Sequence, residues 1–313
     1  MTSNEDLPSK ETESLSMVFK NHDRPNIFVL RGGFGNQMFI LCAALALQSL
    51  RNTDFQLNAN LLSKNMYEGL TRREFALDDL IKPSEYQEPV KTTTFGKLIE
   101  VVKWNLQDDP RKYNSQVQHS NRSYFRSYFQ DFRIVETAWP ELQSRISNSR
   151  TFSRLLSSKV NDHIAIHVRL SDYQTNTRAR KLHGVTESSY YIKNAENLRL
   201  VHGCNNIVLI SDNKPLVRKL LFDKLVIRGF KVFQSEATHM IDDLQQISES
   251  KYVIASNSSF SWWGSWFAWQ NGADEIVIPS PWLSKISKSE SNLQFPQWRV
   301  ANRQIDHLDF SDS

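Results

Sequence analysis

The sequence has little cysteine and no long apolar run. Cys42 and Cys204 are its only cysteines, and they lie far apart and outside any Cys-x-x-Cys pair. This argues against a disulfide framework and a zinc site and favours a reducing compartment. No apolar stretch reaches the roughly 20 residues that a membrane-spanning helix needs, and the polar N-terminus lacks the apolar core of a signal peptide. We therefore expect a cytoplasmic protein whose contact with a membrane is peripheral at most.

Patterns typical of metal sites are also missing. His183 and His239 show no metal-ligand spacing, and the acidic pairs Asp78-Asp79 and Asp242-Asp243 are expected at solvated helix ends. No Ser-His-Asp arrangement can be recognised either. We predict no metal and no cofactor.

Glycine is sparse, with 10 residues, and the segment GGFGNQM follows a short β-branched run, NIFVLR. A dinucleotide fingerprint would need a third glycine where Met38 stands, and no Gly-Lys-Ser/Thr follows for a P-loop. These gaps argue against oxidoreductases and P-loop NTPases. Gly33 and Gly35 either form a tight turn or let a ligand approach the backbone.

The composition is that of a soluble globular protein, with 40% hydrophobic and 23% charged residues. The formal net charge of +4 is spread along the chain, so it fits an anionic small ligand or a membrane surface as well as nucleic acid. A length of 313 residues favours two domains.

The pattern of apolar residues predicts an α/β protein with parallel sheets. We expect a flexible leader over 1–25, a first α/β domain over 26–155, a second domain over 156–290 with a parallel sheet wrapped by helices, and a polar tail over 291–313 that packs back onto the first domain. Pro279 and Pro281 are expected to stop the last strand. The second domain has the clearer alternation, with strands over 163–169, 206–211, 230–234, 251–256 and 275–279 and helices over 188–202, 215–226, 239–250 and 259–270.

Polar residues cluster where three strands of the second domain end. Ligands of open parallel sheets bind beyond the carboxyl ends of the strands, so this convergence predicts a binding site. Arg169 would supply a fixed charge, and Asn257-Ser258-Ser259 begins a helix whose N–H groups favour phosphate. Taken singly, Ser258 or Ser259 is an ordinary N-cap and Arg169 an ordinary ion pair. The three clusters are His167, Arg169 and Asp172; Ser211 and Asp212; and Asn257, Ser258 and Ser259.

The tryptophans that follow this segment have helical spacing. Trp262, Trp263, Trp266 and Trp269 form a stripe that is typical of a packed core rather than of a sugar-stacking platform. We assign them to packing.

Five motifs occur in the order seen in glycosyltransferase family 11, which contains the bacterial-type α-1,2-fucosyltransferases. They are GGFGNQMF, YFRSYFQ, HVRLSDY, LISDN and DLQQISESKYVIASNSSFSWWGSWF, and the resemblance extends from about residue 27 to 283. It implies a GT-B-like fold with two Rossmann-type domains, and inverting transfer of L-fucose from GDP-fucose to a galactoside without a metal. The implied acceptor is an oligosaccharide or lipid-linked glycan of surface glycan synthesis, and nucleic acid is not an expected partner.

The resemblance also implies roles for individual residues. His167 and Asp243 would contact guanine, Arg169 the donor phosphates, and Asn257 with Ser258 and Ser259 the donor at the helix start. A second group would face the cleft from the first domain, namely Gly33, Gly35, Asn36 and Gln37.

This chain departs from the family pattern at three positions. Leu170 stands for the usual second arginine, Ser171 for a glycine and Asn213 for a frequent aspartate. One phosphate charge is thereby missing, and Arg178, Arg180 or Lys181 are candidates to replace it.

The acceptor-activating base is open among Asp172, His183 and Glu187, with Asp172 ranked first. The alternatives to fucosyl transfer are a GT-B transferase with another donor or linkage, and a non-catalytic glycan-binding homologue.

Overall fold

The computed structural model of the protein describes residues 25–62, 73–87, 124–156, 159–170, 177–284 and 292–306, with only the backbone for 177–179 and 306. The predicted leader over 1–25 and the candidate base Asp172 lie outside the described residues, apart from residue 25.

The first unit is a parallel sheet packed against helices. The elements are β1 (Asn26–Val29), α1 (Phe34–Arg51), β2 (Phe55–Asn58), β3 (Tyr86–Gln87), β4 (Tyr124–Phe125) and α2 (Phe132–Asn148). The four described strands run in the order β3-β2-β1-β4, and every neighbouring pair is parallel. Short 3₁₀ turns precede β3 and follow α2.

Helix α1 forms because its sequence is rich in Ala and Leu, which favour helices. It begins after Gly33, which has extended backbone angles, and ends at Asn52 in the left-handed conformation that commonly terminates helices. Nearly all of its residues from Phe34 to Leu47 are buried. This helix is therefore a central core element rather than a surface helix.

The second unit contains six described strands, all parallel, in the order β11-β10-β9-β5-β7-β8. A separate antiparallel pair joins β6 and β12. The strands are β5 (Asn161–Val168), β6 (Val185–Thr186), β7 (Asn206–Ser211), β8 (Lys231–Gln234), β9 (Ser250–Ile254), β10 (Glu275–Ser280), β11 (Arg299–Asn302) and β12 (Ile305–Asp306). The helices are α3 (Thr177–His183), α4 (Ser188–His202), α5 (Lys214–Val217), α6 (Asp223–Ile227), α7 (Met240–Ser248) and α8 (Ser259–Gln270), and a π-helical stretch, Arg218–Phe222, joins α5 to α6.

Two parallel α/β units confirm the predicted fold class, an α/β protein with two Rossmann-type units in the GT-B-like manner. The expected strands and helices of the second unit are also present, with ends shifted by at most a few residues. Within the residues described, no helix combines the length and apolarity needed to cross a membrane. Both cysteines are buried free thiols.

The end of the chain differs from expectation in two ways. Pro279 lies inside β10 and does not stop it. The proline is tolerated because pairing of β10 with β9 ends at Val277, so one side of the strand needs no ladder hydrogen bond beyond that point. The predicted tail supplies β11, which completes the second sheet, although the Phe132 N–H also donates to the Asn292 carbonyl.

Helices α1 and α8 hold the two units together. The Trp263 indole Nε1 donates to the Gly35 carbonyl at 3.0 Å, and Phe39 packs against Trp262 and Trp263 with ring centroids 4.8 and 5.2 Å apart. Trp262, Trp263 and Trp266 are buried, and Trp269 packs against Phe295, so the tryptophan stripe is confirmed as core. The backbones approach closely, since a Cβ on Gly35 would lie 2.5 Å from the Ser259 carbonyl carbon.

Because of this close approach, a side chain at Gly35 should destabilise the fold, whereas a Cβ on Gly33 would meet no atom within 4 Å. Gly35→Ala should cost about 1–3 kcal/mol by overpacking and lower the thermal midpoint by about 3–10 °C. Gly33→Ala is the matched control and should shift the midpoint by less than about 2 °C. Differential scanning calorimetry of both variants checks this, and equal midpoints would contradict the close contact.

Candidate active site

The strand order of the second sheet creates a crevice at the carboxyl ends of β5 and β9. The chain runs from β5 outward to β7 and β8, and then returns to the other side of β5 for β9, β10 and β11. Ligands of open α/β sheets bind at such a topological switch point. Arg169 follows β5 here, and the segment from Ser256 to Ser259 follows β9. The structure therefore brings together two of the three predicted clusters.

The third cluster lies on the next strand and pairs with the first. The Arg169 guanidinium lies 3.0 Å from the Asp212 carboxylate, and the Leu170 N–H donates to the other Asp212 oxygen at 2.8 Å. Both side chains are only about one-fifth exposed. Asp212 thus fixes the direction of Arg169 and the path of the chain after β5, which is a stronger constraint than that of a solvated surface pair.

His167 joins β5 to the start of α8 from inside the protein. Its Nδ1 lies 2.6 Å from the Ser261 hydroxyl and 3.3 Å from that of Ser256, and its ring packs near Phe260. Burial lowers the pKa of His167 to about 4, with the positive charge of Arg169 acting in the same direction and Asp212 opposing it. His167 is therefore neutral at physiological pH. Its predicted contact with guanine stays a prediction.

Ser258 caps helix α8. Its hydroxyl accepts from the Phe260 N–H at 3.3 Å, so it acts as the N-cap that its residue type favours. Ser259 is half-buried beside Gly35. The phosphate role predicted for these serines rests on the first turn of α8 and stays a prediction.

Asp243 lies beyond β8, in the first turn of α7. Its Oδ1 accepts from the Ser235 hydroxyl at 2.8 Å, and burial raises the pKa of Asp243 above its usual value, opposed by that hydrogen bond and by Lys214. Lys214 in turn donates to the Ala237 carbonyl at 2.7 Å. A partly buried carboxylate with one oxygen held in place can accept hydrogen bonds from the N–H groups of a purine base.

One predicted site residue serves the architecture instead. The prediction that Gln37 faces the cleft is wrong, because its side chain is fully buried. Its Nε2 donates to the carbonyls of Gly32 and Glu74 and its Oε1 accepts from the Ala76 N–H. An amide with these partners holds the segment around Glu74 against α1.

Asn257 also has structural partners, because its side chain is 3% exposed and its polar atoms are engaged. Its predicted contact with the donor stays a prediction. Its Nδ2 donates to the carbonyls of His183 and Trp282, and its Oδ1 accepts from the Thr186 hydroxyl. Buried Arg303, which the sequence did not single out, donates to the same two carbonyls. Together Asn257 and Arg303 tie two loops of the second unit to the end of the chain.

A second switch point lies in the first sheet, between β1 and β4 in the described strand order. Arg31 follows β1 and stacks its guanidinium on the Tyr128 ring, 4.5 Å from the centroid. Beside it, the Gln130 amide donates to the Asn36 Oδ1 at 2.8 Å. The position of Asn36 in the cleft stays a prediction, and Arg31, Tyr128 and Gln130 were not singled out from the sequence. Tyr128 and Gln130 belong to the motif YFRSYFQ, and Arg31 ends the segment NIFVLR.

The base assignment stays open. Asp172 and the side chain of Arg178 lie outside the described residues. The Glu187 carboxylate accepts from the Ser189 hydroxyl at 2.9 Å at the start of α4, and the His183 carbonyl is held by Asn257. Within the described residues, no group of three or more His, Cys, Asp or Glu side chains is arranged to hold a metal ion.

Known proteins resemble this chain over most of its length. A model described as glycosyl transferase family 11 matches residues 18–301. The chain is 26% identical to the O-antigen biosynthesis glycosyltransferase WbnK of Escherichia coli, over 83% of this chain and 96% of the relative. It is also 25% identical to an α-1,2-colitosyltransferase of Escherichia coli, over 82% of this chain and 91% of the relative.

Solved structures are similar at a lower level. The fucosyltransferase NodZ from Bradyrhizobium shares 12% identity with a TM-score of 0.44, over 77% of this chain and 93% of that one. POFUT1 in complex with GDP shares 12% identity with a TM-score of 0.40, over 82% and 99%.

The buried neutral state of His167 predicts a specific acid sensitivity. A histidine pKa lowered from 6.5 to about 4 contributes stability that is complete above pH 6.5 and is lost as the pH falls toward 4. Between pH 7.5 and 5.0 the wild type should lose about 2 kcal/mol more free energy of unfolding than His167→Gln. Urea unfolding at both pH values measures the difference. Parallel losses in the two proteins would show that His167 is not held neutral.

Proposed function

Because the chain belongs to glycosyl transferase family 11 and is a glycosyltransferase, we propose that it transfers L-fucose from GDP-fucose to a galactoside hydroxyl, in α-1,2 linkage. The observation that carries the proposal is the position of Arg169, held by Asp212 at the switch point of the second sheet. The name of the relative WbnK supports a role in O-antigen synthesis, in which the acceptor is an oligosaccharide or a lipid-linked glycan.

The row of strand ends in the second sheet has the length of a nucleotide sugar. From β9 through β5 and β7 to β8 there are three strand spacings of about 4.8 Å, or about 14 Å in all. We place guanine at Asp243 near β8, the diphosphate at Arg169 near β5, and the fucose toward Ser259 near β9. Gly35 of the first unit lies beside this last position, where the acceptor would arrive.

In the reaction, the bond between fucose C1 and the diphosphate oxygen breaks while the acceptor oxygen attacks C1 from the opposite face. Negative charge grows on the departing GDP and positive charge on the sugar. Arg169 stabilises the leaving group because Asp212 holds it in place before the reaction begins, so no reorganisation is needed. One displacement converts the β-linked donor into an α-linked product. We assign the base that removes the acceptor proton to Asp172.

The edge of the first sheet carries hydrogen-bond donors and an aromatic ring that suit the acceptor sugar. Arg31 stacked on Tyr128 presents a planar set of N–H donors beside an aromatic ring, and the Gln130 bond holds the Asn36 amide in one orientation. Hydrogen-bond donors next to aromatic carbon suit a sugar, which has acceptor hydroxyls and apolar C–H faces. We place the acceptor galactoside on this edge.

One relative favours a second donor. The name α-1,2-colitosyltransferase points to colitose, which is L-fucose without its 3-hydroxyl. The two donors share their nucleotide and their sugar configuration elsewhere. A site that hydrogen-bonds the 3-hydroxyl would reject the deoxy sugar strongly, whereas an apolar pocket at that position would not reject fucose strongly.

A panel of nucleotide sugars tests the proposed reaction. The wild type should release GDP from GDP-fucose only when a β-galactoside is present, with EDTA in every reaction, and NMR should show α-fucose on the 2-hydroxyl. Faster turnover of GDP-colitose than of GDP-fucose would show that colitose is the transferred sugar. Binding of GDP-fucose without turnover over the acceptor panel would favour the non-catalytic alternative, and dependence on Mn²⁺ or Mg²⁺ would overturn the metal-free mechanism.

Variants of two arginines test the phosphate contact. Arg169→Ala should lower kcat/KM by about 30- to 1000-fold, because a charge-assisted contact in a cleft contributes about 2–4 kcal/mol. Arg178→Ala, the matched control on α3, should lower it by less than about 5-fold. Thermal midpoints should stay near that of the wild type, since Arg169 follows a strand and is not a core residue. Normal turnover in Arg169→Ala with a loss in Arg178→Ala would place the phosphate clamp on α3.

A further inference from the structure

Two neighbouring helices of the second unit end in the same unusual way. The last residues of α4 and the residues after it read Leu200-Val201-His202-Gly203, and those of α6 read Val226-Ile227-Arg228-Gly229. Both glycines have positive φ angles, 74° and 84°, that end the helices. Each end presents two consecutive apolar side chains followed by a basic one.

These apolar side chains point into solvent. Leu200 is 84% exposed, Val201 62%, Val226 46% and Ile227 82%. Single exposed apolar residues are common on proteins, but two adjacent pairs on adjoining helix ends form a patch. We call these four residues the apolar patch.

The two helix ends are fixed side by side. The Arg199 guanidinium donates to the Arg228 carbonyl at 2.8 Å and stacks on the Phe230 ring, 4.3 Å from its centroid. The Arg228 Nε in turn forms an ion pair with the Glu196 Oε1 of α4, at 3.3 Å. The apolar patch is therefore a fixed surface feature.

Positive charge predominates beside the patch. Residues 223–231 contain three basic residues and one acidic residue, Asp223, and the neighbouring Glu196 of α4 is paired with Arg228. Lys224, Arg228 and Lys231 are exposed beside the apolar patch. Exposed apolar side chains framed by Lys and Arg are the features with which peripheral proteins bind anionic lipid surfaces.

We propose that the apolar patch with Lys224, Arg228 and Lys231 docks this protein on an anionic phospholipid membrane. A second copy of the chain is disfavoured as occupant, because the same positive charges would face one another. The patch lies at the amino ends of β7 and β8, which α4 and α6 precede, whereas the candidate site lies at the carboxyl ends. Docking there leaves the cleft open to a glycan acceptor. The proposal does not depend on the identity of the sugar donor.

Vesicle co-sedimentation of the full chain tests the proposal. The wild type should bind phosphatidylglycerol vesicles, bind phosphatidylcholine vesicles at least about tenfold more weakly, and dissociate as salt is raised. Lys224→Glu/Lys231→Glu should weaken binding by about 30-fold or more, because each basic residue near such a surface contributes about fivefold and the added carboxylates are repelled. Leu200→Ser/Ile227→Ser should weaken it by about tenfold with its charge unchanged.

The matched control is Lys82→Glu/Arg150→Glu, which changes the net charge equally at exposed positions of the first unit. It should bind vesicles within about twofold of the wild type. Circular dichroism melting of every variant checks that it folds. The proposal would be overturned if the wild type did not bind anionic vesicles, or if the control and patch charge reversals weakened binding equally. It would also be overturned if the patch mediated self-association instead. Sedimentation velocity would then show a wild-type dimer that both patch variants abolish.

Discussion

The contact between the first turns of α1 and α8 is the constraint on which the rest of this structure depends. Gly35 lies against the backbone of Ser259 and Phe260, and its carbonyl accepts from the Trp263 indole. Each of these helices starts beside the switch point of its own sheet. This glycine contact therefore brings the two candidate binding edges close together, and the buried rings of Phe39, Trp262 and Trp263 pack across the same contact.

The candidate site is preorganised by polar contacts within the protein. Asp212 holds Arg169, Ser235 holds Asp243, and buried His167 is neutral between the hydroxyls of Ser256 and Ser261. Arg169 lies near the Asp212 carboxylate and Lys214 near that of Asp243. The carboxylates therefore reduce the repulsion between the positive charges at this edge before a ligand binds. In the proposed reaction, the donor diphosphate would meet a cation that is already oriented and partly desolvated, which favours transition-state stabilisation over simple attraction.

Much of the second unit followed from the sequence, because buried parallel strands alternate with amphipathic helices and place polar residues at their ends. Residues joined across long sequence separations could not be found in that way. Gln37 is polar, but its backbone partners at 74 and 76 bury it. The pairing of Arg31 with Tyr128 arises only when β4 joins β1. Strand β11 was not predicted, because its sequence is short and polar and follows a segment without a clear period of apolar residues. Asp172 remains a prediction from sequence alone.

Hydrogen–deuterium exchange with and without GDP tests the central claim most directly, namely that the carboxyl edge of the second sheet holds the donor nucleotide. Saturating GDP should slow exchange of amides in 167–170, 211–214, 235–243 and 256–261, and leave the amino-edge segments 200–206 and 226–231 unchanged. ADP at the same concentration should protect these segments less, because Asp243 recognises a guanine edge in this account. GDP protection confined to the first unit, or equal protection by ADP and GDP, would contradict it.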